Sequence, residues 1–306
     1  MKRFRKMNIH FKTLLPLFVL AMALINPFSD FSAQTPLSSQ LFSKFDALRT
    51  AVNDEERALA HSELKVFIRE ILTDYDSSES LFEVFENWPA GIASAGKGDE
   101  LVTVISWNSE RQDRTEDYGA FVIYGFEGAN LYDSFKWTEL VHDRDEDPSD
   151  ESRSYRVDDW PGAIYYELVL THDGKTPIYT LLGWDGANAQ VTRKIMETMI
   201  ITNDRVRIGV PYLNRPEGIR KRHVLEYSDA LQSTLRYDFE NDRIVLDRLA
   251  PSDPSLAGAT AFYGPTMEYD AYVWSKGKWK FLQNVEVKNS RDKERHRPYN
   301  DPREKN

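Results

Sequence analysis

The chain of 306 residues contains no cysteine. Disulfides, thiolate nucleophiles and thiolate metal ligands are therefore excluded, and an ordinary apolar core must supply the stability. Histidine is scarce, with 6 residues. None stands at the H-x-H, H-x-x-x-H or H-E-x-x-H spacing by which one strand or helix presents a metal pair. The G-x-S-x-G elbow of serine hydrolases is also missing. There is one long apolar run, Leu14 to Ile25 (LLPLFVLAMALI), and it falls short of the ~20 residues a membrane-spanning helix needs.

That run follows Lys2, Arg3, Arg5, Lys6 and Lys12 and precedes Ser32-Ala33-Gln34, the layout of a signal peptide. Residues 1–33 are read as an export signal cleaved after Ala33, which places the mature protein in the periplasm or outside the cell. No cysteine follows the run, so an N-terminal lipid anchor is excluded. Removing the leader leaves 34 basic and 48 acidic residues, a net charge of −14. Nucleic acid and anionic lipid surfaces both require a basic face, so neither is an expected partner. With no further apolar run, the processed chain is expected to be soluble and free of the membrane, with any partner in the envelope or the extracellular space. No motif calls for a cofactor.

Two periods divide the rest. Residues 36–88 repeat apolar positions at steps of three and four: Leu37, Leu41, Phe45, Leu48 and Val52, then Ala60, Leu64, Phe67, Ile68, Ile71 and Leu72. Asn53 with Glu56 forms a capping signal, and Ser78 or Ser80 opens a short helix that ends at Trp88-Pro89. From residue 90 to 288 the period is two. Strand-like runs are joined by turn signals such as Asp173-Gly174, Glu240-Asn241-Asp242 and Lys276-Gly277. Short turns make antiparallel hairpins. One exception is predicted: Asn188 before Val191, Ile195, Met196 and Met199 reads as a capped helix inserted between strands. The expected class is α+β, mainly antiparallel β. A helical N-terminal segment precedes a large hairpin-rich β domain with one inserted helix. An open sheet, a sandwich and an irregular propeller all fit that pattern. The charged, proline-containing tail 289–306 is expected to be disordered.

Several stretches look chemical. Gly91, Gly96 and Lys97 in GIASAGKG stand at phosphate-loop spacing, but the hydroxyl residue is replaced by Gly98 and a β-patterned run follows, so a hairpin turn is expected. Asp143, Asp145 and Asp147 in DRDEDPSDE match the start of a calcium loop, which then fails at Pro148 and Ser154. They are weak metal candidates, the default being a solvated acidic loop. Asp185, Asp247 and Asp270 lie in or beside strand-like segments, two of them next to aromatic residues. Two of them could form the carboxyl pair of a glycan hydrolase, with Tyr263, Tyr269, Tyr272 or Trp274 as a sugar platform. LLGWDGANAQ offers Trp184, Asp185 and Asn188 as ligand-binding candidates in a loop on a rigid frame; a connection that satisfies its own backbone is the simpler account. Arg215, Arg220, Lys221 and Arg222 could receive an acidic ligand or protect a sheet edge.

The segments VISWN (104–108), YTLLGWDGANAQVTRKIMETM (179–199), RHVLEYSDALQSTLRYDFENDRIVLDRLAP (222–251) and FYGPTMEYDAYVWSKGKWKFLQNVEVKN (262–289) together resemble a family of uncharacterised exported proteins of Gram-negative bacteria. The resemblance spans most of residues 90–290. It implies export and transfers no catalytic residue. The expectation is thus an exported soluble protein acting as a non-catalytic binding or interaction module, with a glycan-acting hydrolase as the alternative.

Overall fold

The computed structural model describes residues 35–75, 80–125 and 135–287. Residues 1–33, read above as an export signal, and the charged tail 289–306 lie outside them. The helical segment forms as its periodicity predicts: α1 (Leu37–Thr50), α2 (Asp54–Thr73) and α3 (Leu81–Phe85). Asn53 caps α2 by accepting the amide of Glu56 at 2.8 Å, and Ser80 with Glu83 closes a capping box on α3. The buried faces carry Leu41, Phe45 and Leu48 of α1 and Leu64, Ile68, Ile71 and Leu72 of α2, all expected; Val52, expected to extend the first stripe, lies past the end of α1 and is 75% exposed. Among the described helices none is long and apolar enough to cross a membrane.

Strands follow in chain order: β1 (Gly91–Ala95), β2 (Val102–Glu110), β3 (Glu116–Tyr124), β4 (Lys136–Leu140), β5 (Ile164–Asp173), β6 (Thr176–Asp185), β7 (Val191–Thr202), β8 (Arg205–Ile208), β9 (Leu213–Arg215), β10 (Gly218–Arg220), β11 (Arg222–Ser228), β12 (Leu235–Asp238), β13 (Arg243–Pro251), β14 (Tyr263–Ser275) and β15 (Lys278–Leu282). They build three sheets. The first has the order β1-β2-β3-β4, the second β11-β7-β6-β5 with β8 also on β7, and the third β10-β9-β15-β14-β13-β12. Pairing is antiparallel except between β9 and β15.

The sheets stack, and the period-two alternation of each strand fills two cores at once. Ile105, Trp107, Phe121 and Ile123 turn one face of the first sheet to the helices. Val104, Tyr118, Ala120 and Val122 turn the other to Leu181, Ile195 and Met199 of the second. Leu182, Met196 and Leu225 on the far face of the second sheet meet Leu246, Tyr272 and Trp279 of the third. The layers run helices, sheet, sheet, sheet. One close approach needs a glycine: a Cβ on Gly119 would lie 2.2 Å from the Trp107 ring.

The predicted helix at 191–199 is a correction: Val191–Thr202 is a strand, hydrogen-bonded to both β6 and β11. Val191, Ile195 and Met199 are four residues apart, which is a helical step but also twice the strand period. Thr192, Thr198, Ile200 and Ile201 add β-branched residues that favour the strand. Asn188 caps no helix. Its carboxamide oxygen accepts the amides of Gln190 (2.9 Å) and Val191 (3.3 Å) in the β6–β7 hairpin turn. The phosphate-loop spacing sits in a hairpin as expected: β1 and β2 pair antiparallel from Ala95↔Val102, with Gly96 and Gly98 at positive φ between them.

Candidate functional site

A cleft of about 800 Å³ opens between α2 and the chain around β3 and β4. Its first wall is the stripe of α2 turned away from the helical core: Ala58, His61, Ser62, Lys65, Val66 and Arg69, spaced by three and four. The second wall is Asp117 and Tyr118 at the start of β3 with Val141–Asp145 beyond β4. Val66 and Val141 are both exposed here, each 43%.

Two imidazoles line the cleft. His61 is 9% exposed, and its ring stands edge-on to Trp107 at 5.8 Å. Its Nε2 is buried without a partner. Burial pushes its pKa down to about 4, with Lys65 adding to the effect, so the ring is neutral near pH 7. His142 accepts the backbone N–H of Tyr118 at Nδ1, 3.2 Å. Its pKa is also lowered, by burial more than the nearby Asp117 carboxylate restores. A neutral ring accepting at Nδ1 carries its proton on Nε2. Asp117 in turn receives the Arg144 guanidinium.

Charge is divided along the cleft. Lys65 and Arg69 share one carboxylate, Glu139, which lies 3.2 Å from the Lys65 ammonium. Beyond His142, the side chain of Asp143 accepts the amide of Asp145 at 3.0 Å. Neither Asp143 nor Asp145 has a cationic partner among the ion pairs of the described residues.

Behind this wall stands Asp185, 4% exposed. Its Oδ1 accepts the Tyr118 hydroxyl (2.7 Å) and the Ala187 amide (2.9 Å), and its Oδ2 accepts Arg193 (3.0 Å). Tyr118 thus joins a sequence-derived candidate to the cleft, although Asp185 does not line it. Glu116 lies next to this group, accepting Asn108 at 3.0 Å. Burial, with repulsion from Glu110 and Asp185, pushes its pKa up to about 7.

The other candidates are dispersed. Trp184 lies opposite Lys194 on the second sheet, and Asn188 serves its own turn. Asp247 and Asp270 line a separate cleft of about 400 Å³ together with Tyr263. Asp247 accepts the amide of Thr234 at 2.5 Å. Asp270 accepts Arg248 and the amide of Asn284, the latter at 3.0 Å. Asp143 and Asp145 line the first cleft, but Asp147 accepts the amide (2.9 Å) and hydroxyl (2.7 Å) of Ser149. Among the described residues no group of three His, Asp or Glu side chains is arranged to hold a metal. In the basic cluster, Arg215 pairs with Glu151 at 2.7 Å and the fully buried Arg222 with Glu197 at 2.6 Å.

The sequence reading did not single out His61, Lys65, Arg69, Tyr118 or His142 as a site. One local signal exists: Ala58, Ser62 and Val66 place small or apolar side chains on the polar face of α2, where a solvated helix would carry charge. Comparison with protein-family models, with curated proteins and with solved structures gave no match for the chain.

Proposed function

We propose that the protein is an exported, non-catalytic binding module whose ligand occupies the cleft between α2 and the Val141–Asp145 segment. The observation that carries this reading is the cleft itself, about 800 Å³, whose walls bring the neutral imidazoles of His61 and His142 beside two exposed valines. Val66 and Val141 add apolar contact to a lining that is otherwise largely charged. Export rests on the basic residues and apolar run that begin the chain.

A thermal-shift screen of polar metabolites tests it, run on the full chain and on Ser62→Trp, which fills the cleft from α2. At least one compound class should raise the melting temperature of the wild type and leave the variant unmoved. A library without effect, or a shift retained by the filled variant, removes the cleft as the site. Fractionation tests export: the chain should be recovered, shortened, from the periplasm or the medium.

A further inference from the structure

The first cleft has a polarity that selects among ligands. At one end two cations, Lys65 and Arg69, face one carboxylate, Glu139, leaving a positive charge in excess. At the other end Asp143 and Asp145 stand without a cation among the ion pairs of the described residues, while Arg144 between them is bound to Asp117. The order of the ends is set by the chain. Lys65 and Arg69 on the later part of α2 reach Glu139 on β4. His61, earlier on α2, shares its electrostatic surroundings with His142, just past β4. The helix therefore runs from the acidic end to the basic end while the strand and its continuation run the other way. From His61 to Arg69 the helix rises about 12 Å, at ~1.5 Å per residue. From Glu139 to Asp143 an extended chain covers about 13 Å, at ~3.3 Å per residue. Both backbone spans, roughly 12–13 Å, give the length of the cleft from the His61 and Asp143 side to the Arg69 and Glu139 side.

Resting on the cleft as the binding site, we infer that its ligand is a short zwitterionic peptide. The C-terminal carboxylate lies toward Lys65 and Arg69, and the N-terminal ammonium toward Asp143 and Asp145. An extended peptide advances ~3.3–3.6 Å per residue, so three to four residues match that length. The middle of the cleft suits a peptide backbone. The imidazoles of His61 and His142, both lowered in pKa by burial, place no charge there to conflict with amides. Val66 and Val141 provide apolar contact for side chains. The charges at the two ends do not neutralise each other within the fold, and a ligand with opposite termini answers both.

Calorimetry at low ionic strength, where screening is weak, tests this with trialanine, N-acetyl-trialanine and trialanine amide on the full chain. Trialanine should bind, and each cap should weaken it about three- to tenfold. Arg69→Gln should bind the acid and the amide alike, and Asp145→Asn, which leaves Asp143 in place, should shrink the difference between the free and acetylated forms. Both side chains are at the surface, and unchanged melting of the two variants confirms the fold. Caps without effect, or cap effects undiminished by both substitutions, overturn the inference. So does failure of trialanine to bind while another compound binds the wild type and not Ser62→Trp; that outcome leaves the cleft reading standing. If no compound binds, both fall.

Discussion

Glu116 should make the protein less stable as pH rises toward neutrality, and replacing it should remove that loss. The carboxyl is half-buried at the start of β3, with Glu110 and Asp185 repelling its charge, Asn108 donating to it and Arg49 partly offsetting the repulsion. The Gly186 backbone lies against it, since a Cβ there would sit 2.6 Å from Glu116 Oε1. Its pKa rises from 4.5 to about 7 on folding. A raised acid contributes stability that is complete below pH 4.5 and is lost as pH climbs through 7, because the unfolded chain releases the proton first. The full interval amounts to about 3 kcal/mol at ~1.36 kcal/mol per pH unit, and the remaining solvent contact reduces this to about 2 kcal/mol. His61 and His223 act in the opposite sense. Their pKa values fall to about 4 and about 3, so they remove stability as pH drops below 6.5. Subtraction separates the two effects. Urea unfolding of the wild type and Glu116→Gln at intervals from pH 4 to pH 8 should show the variant gaining about 2 kcal/mol relative to the wild type across that range. The gain should concentrate between pH 4.5 and pH 7, with the histidine contributions cancelling. A difference that stays flat with pH would refute burial of the charge at this position.

Arg222→Met should cost about 3–5 kcal/mol in urea unfolding, since it leaves Glu197, 2% exposed, without its cation and with Tyr165 as its remaining donor. The double variant Arg222→Met/Glu197→Gln should recover part of that loss, and a single-variant cost near zero would show that the pair is solvated. Gly119→Ala should destabilise by roughly 1–3 kcal/mol and shift tryptophan fluorescence, because the new methyl meets the Trp107 ring. An unchanged emission spectrum would contradict that contact. Ser80→Ala should cost about 1 kcal/mol through loss of the α3 capping box, read as faster hydrogen exchange at Val84 and Glu83. Equal exchange rates would show that the helix stands without the cap.

The legible part of the fold was the local part. The stripe of α1 and α2 is written at steps of three and four, and Asn53 and Ser80 are capping residues in the sequence as in the structure. Lys276-Gly277 turns with both residues at positive φ, as a two-residue hairpin requires. β7 was misread because a spacing of four belongs to both periods, and pairing on both sides by β6 and β11 decided between them. β4 escaped notice: Lys136–Leu140 is a short strand with a largely half-buried pattern. β9 and β10 are three residues each, too short to carry a period.

The sequence by itself determined the absence of thiol chemistry, the apolar run Leu14 to Ile25, the acidic balance, the three helices and most of the hairpins. Each of these depends on composition or on neighbours a few residues apart. Only the tertiary structure decided the stacking order of three sheets, the burial of Glu197 with Arg222, and the meeting of α2 with the end of β4. His61 and His142 share a cleft because a helix packs across a sheet, and the carboxyl of Glu116 is raised because distant strands exclude water from it. Contacts between residues remote along the chain follow from how faces pack, and no local spacing encodes them.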